Sequence, residues 1–152
     1  MIKAAEEKDI PRILEIERAS ISPPWTHGAL LSEIFNDDSF FALAVEEASI
    51  VGFVILRRAS DEGELLQIAV DKAARRRGAA GGLMGAALGW ARDAGVKSVY
   101  LEVRKSNEAA VALYKKNGFI QTGTRKNYYD DPAEDAAVMA RKVRYGSGDG
   151  GL

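Results

Sequence analysis

The 152-residue chain contains no cysteine. Disulfides, thiolate nucleophiles and cysteine-based metal sites are therefore excluded. Its one histidine, His27, makes a structural zinc site improbable and reads as a first-turn surface residue rather than a base. No stretch approaches the roughly 20 apolar residues of a membrane-spanning helix. The opening residues Met1-Ile2-Lys3-Ala4-Ala5-Glu6-Glu7 carry neither the apolar run nor the cleavage pattern of a signal peptide. Net charge is only −1, so no excess of either sign points to nucleic acid or a membrane surface. These absences predict a cytoplasmic protein that uses no metal.

What is present is ordinary for a globular domain: 47% hydrophobic and 28% charged residues. The length suits one domain, here residues 1–145, able to bury about 70% of the surface of its unfolded chain. The Gly-rich end, residues 146–152, reads as a flexible tail. A first helix is expected after Asp9 as N-cap, with Pro11 in its first turn and Ile10, Ile13, Leu14 and Glu17 on one face. Pro23-Pro24 breaks the chain, and Thr26 caps a second helix carrying Leu30, Leu31, Ile34 and Phe35. Phe40–Val45, Ile50–Leu56 and Leu65–Val70 are rich in strand formers. A long helix spans about Ala79–Ala94 and stops at Gly95, and a buried strand follows at Val99–Val103. A helix over Asn107–Lys116 ends at Asn117-Gly118, and strands near Phe119–Arg125 and Ala136–Val143 close the chain. The order is β-α-α-β-β-β-α-β-α-β-β, which implies a mixed α/β fold: one mostly antiparallel sheet of about seven strands with helices on both faces.

Two runs carry chemistry. The first, Arg75-Arg76-Arg77-Gly78-Ala79-Ala80-Gly81, joins a strand to a helix. A helix start offers unpaired N–H groups and a positive dipole end, small residues let phosphate approach, and arginines attract it. A solvated basic patch before an ordinary helix is the competing reading. A P-loop is excluded, because no Gly-Lys-Ser/Thr occurs, and so is a dinucleotide fingerprint, because this strand-to-helix run holds no Gly-x-Gly-x-x-Gly and the strand order is wrong for one.

The second run is Tyr100 to Phe119. Glu102 interrupts an apolar strand, and a carboxylate there is costly unless used or paired. It is either a salt-bridged edge residue or a functional one. Asn107 suits an N-cap, and Tyr114, at helical spacing with Ala110 and Asn117, suits a core aromatic with a wet hydroxyl. Trp25, after two prolines, is either a lid on the core or part of a site.

Together these runs resemble a known family. Arg75-x-x-Gly78-x-Ala80 resembles the Arg/Gln-x-x-Gly-x-Gly/Ala signature of the GNAT superfamily of N-acetyltransferases. Leu101-Glu102-Val103-Arg104-x-Ser106-Asn107, Ala112-Leu113-Tyr114-x-x-x-Gly118-Phe119, Pro24-Trp25 and Arg125-x-Asn127-Tyr128-Tyr129 resemble a narrower group. These are the bacterial RimI-type alanine N-acetyltransferases, which act on a small-subunit ribosomal protein. The likeness covers roughly residues 1–144. It implies acetyl-CoA as co-substrate, its pantetheine arm on the backbone of Ile68, Ala69 and Val70 and on Asn107. It implies the pyrophosphate on Arg75, Arg76, Arg77, Gly78, Ala79, Ala80 and Gly81. It further implies Glu102 as general base and Tyr114 as general acid, with Trp25, Asn127, Tyr128 and Tyr129 around a peptide N-terminus. A small-amine or lysine acetyltransferase, or a non-catalytic acetyl-CoA-binding module, would share the donor half.

Overall fold

A computed structural model describes residues 1–20 and 24–143. Pro23 of the chain break, residues 144 and 145 of the expected domain and the tail at 146–152 lie outside the described residues. The elements are β1 (Ile2–Ala4), α1 (Ile10–Ser20), α2 (His27–Ile34), β2 (Ser39–Glu46), β3 (Ser49–Ala59) and β4 (Glu62–Val70). There follow α3 (Ala79–Asp93), β5 (Ser98–Arg104), α4 (Glu108–Lys116), β6 (Ile120–Tyr129) and β7 (Glu134–Lys142). This is the order the sequence predicts. Short 3-10 turns at Glu7–Asp9 and Lys72–Ala74 precede α1 and α3.

The strands form one seven-stranded sheet in the order β1-β2-β3-β4-β5-β7-β6. Only β4 and β5 run parallel; every other neighbour is antiparallel. Alternation along the strands sends side chains to two cores. Ile10, Ile13 and Ile16 of α1 and Leu30 of α2 pack on Phe41, Leu43, Phe53 and Ile55. Leu83, Met84, Ala87 and Ala91 of α3 pack on Ala42, Val54, Leu56 and Val99 on the other face, with Tyr114 of α4. Trp90 completes that helix face by stacking on Phe40, ring centres 5.7 Å apart.

The local details correct several expectations. Asp9 does not cap α1: its carboxylate reaches back to accept from the Glu6 N–H at 2.9 Å, closing the 3-10 turn before the helix. The buried stripe of α1 takes in Ile16 and the polar Glu17, whereas Leu14 is half-buried. Phe35 does not join the α2 stripe; it is the C-cap and is 68% exposed, because the helix ends one residue earlier at Ile34. β6 extends through Tyr129, so Tyr128 and Tyr129 sit at the end of that strand and not in a loop between strands. Thr26 caps α2 as expected, accepting from Ala29 N–H at 3.1 Å. Gly95 and Gly118 follow α3 and α4 with φ of 82° and 88°, the left-handed geometry that ends a helix.

Candidate active site

The sheet opens at the parallel junction of β4 and β5. β4 and β5 pair over Glu62–Glu64 and Ser98–Tyr100, and among the described residues no further rung joins them. Beyond that point β4 stays with β3 as far as Val70, and β5 stays with β7 as far as Arg104. The result is a gap at the carboxyl ends of two parallel strands, where α3 and α4 begin. Such an opening is where sheets of this kind hold ligands.

Backbone groups line one wall of the gap. The Asp71 N–H donates to the Val51 carbonyl at 2.7 Å. An antiparallel ladder alternates, so the Phe53–Ala69 rung is hydrogen-bonded and the Val54–Ile68 and Gly52–Val70 rungs are not. Ile68 and Val70 therefore aim their main-chain groups away from β3, into the gap, while those of Ala69 are tied to Phe53. The strand end is anchored by Arg12 of α1. Its guanidinium donates to the Ile50 carbonyl at 3.1 Å and to the Asp71 carboxylate at 2.5 Å. That bond holds the Asp71 pKa below its usual value, helped by the Ala73 N–H.

The start of α3 is bare. Gly78 is the N-cap, with φ 87° and no side-chain cap, and the first helical bond is Gly82 N–H to Gly78 carbonyl at 3.0 Å. The N–H groups of Ala79, Ala80 and Gly81 thus have no intrahelical acceptor. A Cβ at Gly78 or Gly81 would meet nothing within 4 Å, so this is open space. The three arginines differ. Arg75 turns back to donate to the Val70 carbonyl at 3.1 Å. Arg77 bonds the Ala73 carbonyl at 2.6 Å and pairs with Glu46 at 3.3 Å. Arg76 is exposed with φ 68°. Asn107 lies at the other helix start, where its Oδ1 accepts from Ala110 N–H at 3.1 Å as the N-cap of α4.

Glu102 faces the α1–α2 side of the sheet, since its neighbours Leu101 and Val103 enter the α3 core. Its side chain is only 9% exposed and meets the Arg125 Nε at 3.3 Å. The Glu64 carboxylate, one strand away, is near enough for its charge to act on both Glu102 and Tyr100. Burial raises the Glu102 pKa, the Glu64 charge raises it further, and Arg125 opposes both. Tyr114 comes from the opposite face. It is buried, packs edge-on against Phe119 with ring centres 5.9 Å apart, and its hydroxyl bonds no other described residue. Burial, then the neighbouring Tyr129, push its pKa up to about 12. Burial pushes the Tyr129 pKa up to about 12 as well, with the neighbouring Tyr128 and Glu102 adding to the rise.

The end of β6 is bulged. Lys126, Asn127 and Tyr128 lie between the rungs Arg125–Ala136 and Tyr129–Glu134, opposite Asp135 alone. Asn127 takes φ 53°, a conformation asparagine tolerates, and its N–H donates to Asp135 at 2.8 Å. The bulge sets Tyr128 and Tyr129 edge to face at 5.0 Å, with Arg104 over the Tyr129 ring at 4.4 Å. Trp25 stands on the α1–α2 side, half-buried against that core. The structure thus brings Glu102, Tyr128, Tyr129 and Trp25 to one side of the gap, and Tyr114, Asn107 and residues 75–81 to the other. Asn127 shapes the bulge and is exposed.

Reading the sequence alone missed Glu64, Arg12 and the pair Glu17–Gln67. Glu64 alternates with Gly63 and Leu65, a legible two-residue period, yet its approach to Glu102 depends on the β4–β5 register. Among the described residues no group of His, Asp or Glu is arranged to hold a metal ion, and no helix is long and apolar enough to cross a membrane.

The model of the Acetyltransferase (GNAT) family matches residues 10–119. The ribosomal protein bS18 alanine N-acetyltransferase of Haemophilus ducreyi is 37% identical over 144 residues, covering 92% of this chain and 98% of that protein. The crystal structure of the ribosomal-protein-S18-alanine N-acetyltransferase from Escherichia coli has a TM-score of 0.86 at 31% identity, covering 97% of this chain and 96% of that one. Ard1 from Thermoplasma volcanium has a TM-score of 0.88 at 33% identity, covering 95% and 98%. Matched across most of its length in sequence and in fold, this chain belongs to the GNAT family of acetyltransferases.

Proposed function

We propose that the chain transfers the acetyl group of acetyl-CoA to the α-amino group of a protein N-terminus, that of an alanine-initiated ribosomal protein. The observation that carries the chemistry is the gap itself: a buried carboxylate on one side and a buried tyrosine on the other. The likeness to alanine N-acetyltransferases over 92% of the chain supports the acceptor.

The bare N–H groups of Ala79 to Gly81 and the open space at Gly78 fit a pyrophosphate. Main-chain groups of Ile68 and Val70 suit an amide-bearing arm laid along β4 like an added strand. Bound acetyl-CoA supplies the reactive acyl carbonyl. Glu102, directly or through water, accepts the proton of the acceptor ammonium, a task that its raised pKa favours. The Val70 N–H faces the place where the carbonyl oxygen gains charge. The freed amine bonds to the acyl carbon, the C–S bond breaks, and Tyr114, held protonated, gives its own proton to the departing sulfur. The exposed Tyr128 and the Trp25 side of the gap receive the peptide.

The test is thiol release from acetyl-CoA with a panel of peptides and small amines. Release with an alanine-initiated ribosomal peptide, reduced roughly 10²–10⁴-fold by Glu102→Gln, is the expected result. Release with polyamines, aminoglycosides or lysine side chains alone would overturn the acceptor, and acetyl-CoA binding without any release would overturn the activity.

A further inference from the structure

Glu17 is a carboxylate with no exposed surface, and among the described residues it forms no ion pair. Nothing in the transfer chemistry uses it. Its Oε1 accepts from the main-chain N–H of Trp25. With the Gln67 amide oriented by its partners, Gln67 Nε2 donates to Glu17 Oε2 at 2.8 Å, and Gln67 Oε1 accepts from the Trp25 indole N–H. The count closes: three donors meet three acceptors, two of them on Glu17. Burial raises the Glu17 pKa, while the Trp25 N–H and Arg18 pull it back.

Gln67 faces this network because it alternates with Ala69, opposite Ile55 and Phe53 of the α1–α2 core, and a bulge lies next to it. The β3 residues Ile55 and Leu56 oppose Gln67 and Leu65, which leaves Leu66 as the extra residue of β4. Leu66 and Gln67 consequently share the α1–α2 side, with Leu66 against that core. One residue further on, Ile68 turns its main chain into the gap. The network therefore ties three pieces together: α1, the Trp25 segment and β4 beside the gap.

We infer that Glu17 is a positioning residue for the acceptor: with Gln67 it clamps both the main chain and the indole of Trp25 to β4 and so fixes one wall of the acceptor side. The inference rests on the reading that the α1–α2 side receives the acceptor. A carboxylate is required because it offers acceptors only. Glutamine at position 17 would set its NH2 against that of Gln67. If Gln67 turned over to relieve this, its own NH2 would face the indole N–H. Either way two donors meet in a buried site.

The experiment measures KM for an alanine-initiated peptide and for acetyl-CoA, with kcat and Tm, in four proteins: wild type, Glu17→Gln, Trp25→Phe and the double variant. Glu17→Gln should raise the peptide KM about tenfold, as a lost hydrogen bond to a charged group would, and leave the acetyl-CoA KM within about twofold. Trp25→Phe should raise the peptide KM as well. The double variant should be no worse than Glu17→Gln alone, because phenylalanine removes the conflicting donor and lets Gln67 turn its carbonyl to the amide introduced at position 17. An unchanged peptide KM in Trp25→Phe, additive losses in the double variant, or equal rises in both KM values alongside a lower Tm would each overturn the clamp. Trp25→Phe decides the matter even if Glu17→Gln fails to fold. A wild type that acetylates only a small amine would refute the peptide acceptor instead, and the same KM comparison with that amine would then judge the clamp.

Discussion

Gly52→Ala is the smallest change that disturbs the donor wall without altering a residue of the site. Gly52 lies in β3, buried, opposite Val70. A Cβ there would stand 2.8 Å from the Ala69 carbonyl oxygen and 3.2 Å from both Leu83 Cδ1 and Val70 Cγ2. The two side chains can give way by rotation, but the backbone oxygen moves only if β4 moves. Restoring ordinary contact at 3.4 Å requires a displacement of about 0.6 Å. Overpacking of this kind costs about 1–3 kcal/mol, and about 2 kcal/mol lowers the Tm of a domain this size by about 4–8 °C. The displaced atoms belong to Ala69 and Val70, next to the N–H assigned to the oxyanion. Misplacement approaching 1 Å in a reacting geometry costs up to about 100-fold, so a loss of about tenfold in kcat/KM for acetyl-CoA is expected. Thermal denaturation and steady-state kinetics with acetyl-CoA varied would measure both. A Tm within about 1 °C of wild type together with unchanged kcat/KM would show that β4 is not held as argued.

Tyr114→Phe removes the proposed proton donor but keeps the ring packing against Phe119; kcat should fall roughly 10²–10⁴-fold with acetyl-CoA KM nearly constant, and an unchanged kcat would remove Tyr114 from the mechanism. Glu102 has a raised pKa, so its base form is present above that value and is lost as pH falls through it. Glu64→Gln deletes a neighbouring charge that contributes to the rise, and the acidic limb of the kcat/KM profile should move to lower pH; a limb that stays or moves upward would break the proposed coupling of the two carboxylates. Gly78→Ala forces an L side chain to φ 87°, at a cost of about 1 kcal/mol or more, and should raise the acetyl-CoA KM severalfold while sparing the peptide KM; no change in either would separate Gly78 from donor binding.

Local rules settled most of the fold. The order of strands and helices follows from hydrophobic period, from Thr26 and Asn107 as caps, and from Gly95 and Gly118 as stops, because each depends on atoms within a few residues. The uncapped start of α3, proposed as the donor site, was legible for the same reason: Gly78 followed by small residues leaves adjacent amides without a side-chain cap. The departures have local causes too. Asp9 found a partner three residues back, and Phe35 fell one position past the end of its helix.

What the sequence could not determine is which distant side chains meet. Glu64 and Glu102 are separated along the chain and become partners through the parallel register of β4 and β5, which runs for three rungs and then opens. Glu17, Gln67 and Trp25 meet because α1 and Trp25 pack on the face of β4 that Gln67 shares with Ala69. A register or a bulge leaves no local pattern, since it is decided by how two strands pack together. The sequence by itself determined the family, the element order and the uncapped helix start at Gly78. Tertiary structure alone decided which side of the sheet Glu102, Tyr114 and Trp25 face, because that depends on how strands and helices pack together.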